Sequence, residues 1–310
     1  MPEIDREMME RYSTDTGFHV DVIEKVYRLT ELLREINDIS NVRNKLVLKG
    51  GTAINFIYFD IPRLSVDIDV DYIGSAKRSE MLRDRKYLED IFLRVFKKLG
   101  YQVVERKPYA LLQYMLSYVN TAGNNDRIKL EVNFFNRVTA FKEIEMDFKN
   151  FFGFKELKVS TLLIEELFGR KMRALVTRGT PRDLYDVYYL LNSKIKISME
   201  KLRKCFIFYL CCHGDPRKMS LEFVESITQK DIKTGLLPLL RKGEKIDAAE
   251  LKETVMPLLK EFFILEDDEE KFVVELYDRK KYLPEILFGG LDYNRQIKYH
   301  PGIEWKIKNL

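Results

Sequence analysis

Asp67 and Asp69 are the residues of this chain whose type and spacing point most directly to chemistry. They lie in Ser65-Val66-Asp67-Ile68-Asp69-Val70-Asp71, where polar residues alternate with aliphatics. In an extended strand alternate side chains share a face. The aspartates therefore stand together, and Val66, Ile68 and Val70 turn to the core. Aspartate is disfavoured in strands, and like charges side by side repel. A hard divalent cation taking carboxylate oxygens is the usual remedy. The expected chemistry is a pair of carboxylates holding one or two magnesium ions, or manganese in their place, on triphosphate oxygens. The plainer alternative is a solvated edge strand with outward charges. Asp71 shares the parity but ends the run, and reads as a surface or supporting group outside the metal's ligands.

Three further sets of residues bear on that chemistry. Gly50-Gly51-Thr52 follows the apolar run Leu46-Val47-Leu48. Glycines let a phosphate approach the backbone, a following helix offers N–H groups, and Thr52 adds a hydroxyl. A glycine pair alone marks only a turn, but its place between a strand and the aspartate run makes it more specific. In Arg127-Ile128-Lys129-Leu130-Glu131-Val132-Asn133, Lys129, Glu131 and Asn133 share one face. Glu131 is the candidate third acid, as metal-assisted phosphoryl transfer uses one to activate the attacking hydroxyl; an ordinary amphipathic strand reads the same way. Lys171, Arg173 and Arg178 precede Arg182, Asp183 and Asp186. The cations suit phosphates. Equally, Asp183 suits a capping arrangement with Thr180, and Arg182 with Asp186 an i,i+4 ion pair.

The elements that must position these residues follow from periodicity. Apolar spacing predicts helices over 18–36, 52–58 and 77–99, and alternation predicts strands over 46–49, 65–72, 101–106, 109–119 and 127–135. This is an α/β (α+β) domain with a mixed sheet. Beyond residue 155 helical patterns dominate: 159–177, a helix begun at Thr180-Pro181, then 199–212, 221–228, 248–264 and 268–280. The expected organisation is a domain over 1–155 and a helical one over 156–310.

Composition narrows the alternatives. Among 310 residues, Lys+Arg 53 against Asp+Glu 49 leaves +4, so any basic surface is local. Cys205, Cys211, Cys212 and His213 do not match a structural zinc spacing, and buried structural thiols are expected. Clustered cysteines, an N-terminus without signal-peptide character and no apolar run near the ~18 residues of a membrane helix predict a soluble cytoplasmic protein. No Gly-x-Ser-x-Gly or Walker A pattern occurs.

Two stretches taken together resemble the AbiEii-type nucleotidyltransferases, a branch of the DNA polymerase β-like superfamily that includes type IV toxin–antitoxin toxins of the MenT kind. They are Lys49-Gly50-Gly51-Thr52-Ala53 with Arg63-Leu64-Ser65-Val66-Asp67-Ile68-Asp69, and Arg170 to Leu175 with Arg178 to Asp186. The tail from His300-Pro301 to Trp305-Lys306 is similar to a family ending. The resemblance implies a nucleotidyltransferase fold, a helical lobe and an active site between them. It implies metal on Asp67 and Asp69, a glycine–hydroxyl motif at Gly51 and Thr52, and a functional lysine at Lys171. Joined to the reading of the residues themselves, the expected site has Glu131 as a third acid and triphosphate contacts from Gly50, Gly51, Thr52, Arg63, Ser65 and Lys171. Asp183 or Asp186 would be the later functional aspartate. It implies a nucleoside triphosphate substrate, an RNA acceptor such as a tRNA 3′ end, a toxin's role and an antitoxin partner. Thr52 departs from the superfamily's usual serine, and Asp71 from a commoner apolar residue. The rival expectations are a small-molecule or protein hydroxyl as acceptor, or a binder without turnover.

Overall fold

The computed structural model describes residues 4–310. The chain forms two compact units. The first takes in the chain up to Arg137, then Glu143–Thr161 and Pro238–Glu244. The second takes in Val138–Lys142, Leu162–Leu237 and Lys245–Leu310. Each unit therefore includes a short segment from the sequence stretch that mainly builds the other.

The first unit opens with helices α1 (Arg6–Thr16), α2 (Val20–Asn37) and α3 (Ser40–Arg43). Strand β1 (Leu46–Lys49) runs directly into the single turn α4 (Gly50–Ala53), which continues as a π-helical turn over Ile54–Tyr58. Strand β2 (Asp67–Tyr72), the long helix α5 (Arg78–Lys98) and strands β3 (Gln102–Arg106), β4 (Leu111–Val119), β5 (Asn125–Asn133), β6 (Ile144–Asp147) and β7 (Lys158–Thr161) follow. The seven strands make one mixed sheet in the order β3-β4-β5-β2-β1-β7-β6. The β2–β5 and β1–β7 pairs are parallel, and the other neighbours are antiparallel.

Alternation decides which face of this sheet is dry. Leu48, Ile68, Val70, Leu130 and Val132 are buried on one side. Leu33 and Ile36 of α2 cover that side, leaving a cavity of about 30 Å³ among Leu46, Leu48, Ile68, Val70 and Leu130. Lys49, Asp67, Asp69, Lys129 and Glu131 lie on the opposite face. The segment at Pro238–Glu244 is tied to this unit through Leu64, whose N–H donates to the Leu239 carbonyl at 2.8 Å. Arg241 stacks over the Phe18 ring at 4.7 Å.

The second unit is helical: α6 (Ile164–Arg178), α7 (Pro181–Asn192), α8 (Met199–His213), α9 (Glu222–Glu225), α10 (Gln229–Gly235), α11 (Ala248–Phe263), α12 (Asp267–Tyr277), α13 (Pro284–Phe288) and α14 (Pro301–Lys308). Helices α6 and α8 approach closely at Gly169, where an added Cβ would stand 2.6 Å from the Cys205 Cβ. The segment 138–142 is anchored to this unit by the Phe141 N–H, which donates to Glu166 at 3.1 Å.

Two sequence expectations change here. The helix expected from residue 159 begins at Ile164, because Lys158–Thr161 is strand β7. Val159 and Thr161 are the buried residues of this strand, and the Thr161 hydroxyl donates to the Leu48 carbonyl at 3.0 Å. Strand β6, its antiparallel partner, was not predicted either.

Candidate active site

The turn between β1 and α4 is shaped by what lies against it. Gly50 has φ +71, in the left-handed region that favours glycine. A Cβ on Gly50 would also stand 2.9 Å from Asp69 Oδ2. Glycine at this position thus serves both the backbone and the placement of Asp69. A Cβ on Gly51 would meet Arg63 Nη2 at 2.8 Å and Ser65 Oγ at 3.0 Å.

Thr52, Arg63 and Ser65 are buried within this turn. The Thr52 hydroxyl donates to the Asp67 carbonyl and lies 3.0 Å from Ser65 Oγ. Arg63 Nη1 donates to the Leu64 carbonyl at 2.9 Å. The structure therefore uses the Thr52 hydroxyl to clip the glycine turn to the start of β2.

The carboxylates are gathered by register. Asp69 of β2 is opposite Lys49 of β1 and opposite Glu131 of β5. Asp67 is opposite Lys129, and Glu131 is opposite Gln113 of β4. Asp69 and Glu131 are about one-quarter exposed, at 28% and 24%. Gln113 Nε2 donates to Glu131 Oε2 at 3.2 Å.

Two lysines answer the like charges. Lys129 Nζ lies 3.8 Å from Asp69 Oδ1 and 3.6 Å from Glu131 Oε2. Burial works against its ammonium, but Asp69, Asp67 and Glu131 outweigh that and hold its pKa above the usual lysine value. Lys49 Nζ lies 2.6 Å from Asp71 Oδ1. Asp71 is fully buried, so of its two expected places, surface or supporting group, the surface is corrected. The period of two places Asp67, Asp69 and Asp71 on one face, and the sheet order brings Lys49 and Lys129 to them from the two neighbouring strands.

These residues fit a divalent ion by their donor set. Hard carboxylate oxygens of Asp67, Asp69 and Glu131 share one partly exposed face, and the protein already holds a cation, the Lys129 ammonium, among them. Among the described residues, one trio of acids has oxygens all within 4.8 Å of one another: Glu266, Asp268 and Glu269. Lys204 Nζ fills that trio at 2.9, 2.8 and 3.1 Å. It reads as an ion-pair cluster at the start of α12.

The second signature builds a buried ionic knot in the helical unit. Lys171 Nζ lies 2.8 Å from Asp183 Oδ1 and 2.9 Å from Asp186 Oδ2. Arg178 reaches Asp183 Oδ2 at 2.7 Å, and the Thr180 hydroxyl donates to the same oxygen at 2.6 Å. Burial would raise the Asp183 pKa, but Lys171 and Arg178, with hydrogen bonds from Lys171 and Thr180, hold it far below the ordinary carboxylate range. Asp186 thus pairs with a cation from another helix, Lys171. Gly179, with φ +58, ends α6 so that the chain turns back into α7.

Cys205, Cys211 and Cys212 are free thiols. Burial raises all three, Cys212 to about 12, which suits packing rather than metal or nucleophile work. No helix among the described residues is long and apolar enough to cross a membrane.

No curated protein is similar enough in sequence to count as a match. Among solved structures, the chain is similar to MenT4, a nucleotidyltransferase toxin from Mycobacterium tuberculosis, with a TM-score of 0.67 and 16% identity. The match covers 93% of this chain and 99% of that one, and at such identity it shows a shared fold. Residues 31–273 match the family model described as "Nucleotidyl transferase AbiEii toxin, Type IV TA system". The glycine turn, the β2 carboxylates and the Lys171–Asp183 knot all lie within that span, and the chain belongs to the AbiEii family of nucleotidyltransferase toxins of type IV toxin–antitoxin systems.

Proposed function

We propose that this nucleotidyltransferase uses the sheet face bearing Asp67, Asp69 and Glu131 to join a nucleotide from a nucleoside triphosphate to an RNA hydroxyl, such as a tRNA 3′ end. The observation that carries the reading is the register of Asp69 beside Glu131, with Gly50 against Asp69. Asp67 and Asp69 would hold magnesium or manganese, which supplies charge neutralisation on the triphosphate. Glu131 accepts the proton of the acceptor hydroxyl as its oxygen bonds to the α-phosphorus and pyrophosphate leaves. Gly50 and Gly51 let phosphate oxygens approach the backbone, while Thr52, Arg63 and Ser65 keep the turn in shape. Lys171 is proposed as the helical unit's phosphate contact. A phosphate there shares the ammonium with Asp183 and Asp186, which lie 2.8 and 2.9 Å from it. Action in the reducing cytoplasm, restrained by an antitoxin, belongs to the same proposal.

The acceptor is tested with α-labelled triphosphates, magnesium and purified protein, offered total tRNA, total protein or small hydroxyl compounds in parallel. Label is expected in the tRNA fraction. Label in the protein or small-molecule fraction alone would overturn the RNA reading while leaving nucleotidyl transfer intact.

A further inference from the structure

Lys129 stands in the midst of the carboxylates proposed to hold a metal. Its ammonium lies 3.8 Å from Asp69 Oδ1 and 3.6 Å from Glu131 Oε2, and its register partner across the parallel pair is Asp67. It is 26% exposed, so it is held within the sheet face rather than extended into solvent. The three acids are not drawn together to the 4.8 Å spacing of the Glu266 trio, and the ammonium is what lies among them.

This placement discriminates between two ways of loading the site. A bare divalent ion entering among Asp67, Asp69 and Glu131 displaces one cation by another. It leaves the ammonium beside a like charge with nothing new to pair with. An ion already bound to a triphosphate arrives with net negative charge. Its phosphate oxygens give the displaced ammonium a partner at once. A lysine suits this exchange, because its flexible stem lets a compact charge move between partners.

We infer that Lys129 is a resident counter-ion that makes the site selective for the metal–triphosphate complex over the bare metal ion. It offsets part of the negative charge of this face, between Asp69 and Glu131, in the free protein and turns to the triphosphate when the complex enters. The inference rests on the reading of these carboxylates as the metal site. Lys129 is a positioning residue here, and it forms no bond to the reacting phosphorus.

Equilibrium dialysis with Mn²⁺ tests this, alone and with α,β-non-cleavable analogues of ATP, GTP, CTP and UTP. The wild-type chain is compared with Lys129→Met, Lys129→Gln, Lys129→Arg and Asp69→Asn, each checked for a folded-state melt. The two neutral variants are expected to bind bare Mn²⁺ about tenfold more tightly, as loss of a unit charge near 4 Å implies at a partly exposed site. The gain in Mn²⁺ affinity from an analogue should shrink in both, and Lys129→Arg should keep the wild-type pattern. Unchanged bare-ion affinity in whichever neutral variant folds overturns the inference. If Asp69→Asn leaves wild-type Mn²⁺ binding unaltered, the carboxylate site itself fails, and the inference with it. A role confined to structure would lower the melt of the neutral variants without changing the ratio between bare and analogue-assisted binding, and that result also overturns it.

Discussion

Asp69 of β2 and Glu131 of β5 are register partners on adjacent parallel strands, so two carboxylates distant in sequence stand side by side on one face. The arrangement depends on pairing rather than on either strand alone. A slip of one residue would send one of them to the side packed by Leu33 and Ile36. Glu131 is placed further by Gln113 of β4, which donates to it.

Glu131→Gln is expected to slow nucleotidyl transfer by about 10²- to 10⁴-fold, the usual worth of a positioned general base. Its stability should shift by no more than about 0.5 kcal/mol, since the side chain is part-exposed. Initial rates with α-labelled triphosphate, beside a urea melt, check both halves. A rate within twofold of wild type would remove Glu131 from the chemistry.

Gly50 carries two demands, and a control separates them. Gly50→Ala meets a left-handed backbone and the Asp69 carboxylate 2.9 Å away. Gly100 has φ +75, and an added Cβ there has nothing within 4 Å. Gly100→Ala should cost about 1–2 kcal/mol from the backbone alone. Gly50→Ala should cost more and also lower transfer activity, because Asp69 must move. Equal losses of stability with full activity in both would show that the Asp69 contact is idle.

Lys49 and Asp71 form the buried pair of this face, and their role here is structural. Lys49→Met should destabilise the protein by about 3–5 kcal/mol, as it removes a counter-ion from a buried carboxylate. The double variant Lys49→Met with Asp71→Leu should recover most of that loss, because an apolar pair carries no desolvation cost. Denaturant titration of the single and double variants gives the comparison.

Asp183 predicts an acid-side weakness. Its pKa is held below the ordinary value in the folded chain, so its contribution is present above about pH 4 and is lost as pH falls toward the folded value. Asp183→Asn should therefore be much less stable than wild type near neutral pH. The difference should narrow as the pH is lowered through about 4 to about 2. Urea midpoints across that range provide the measurement, and a constant difference would contradict the assignment.

Much of this site was legible because strand alternation is local. The period of two placed Asp67 with Asp69, and Lys129 with Glu131, from the sequence alone. The glycine pair declared the turn because few other residues accept φ +71. What the sequence hid was non-local. That Lys49 answers Asp71 and Lys129 answers Asp69 depends on β2 lying between β1 and β5. The alternative of an Arg182–Asp186 pair follows a local helix rule, whereas the Lys171–Asp186 pair joins α7 to α6. Strands β6 and β7 are four residues each, too short for a clear period, and β7 was absorbed into the helix that follows it. The exchanged segments at 138–142 and 238–244 carry no compositional mark at all.

The central claim is that the Asp67–Asp69 face performs nucleotidyl transfer. Its most direct test is transfer from α-labelled triphosphates by Asp67→Asn and Asp69→Asn, each shown by its melt to be folded, with wild type alongside in saturating magnesium. The account predicts that wild type transfers label and that each variant falls by at least about 10²-fold, the scale of losing one preorganised electrostatic contact in a site. Transfer by both folded variants at the wild-type rate would contradict it.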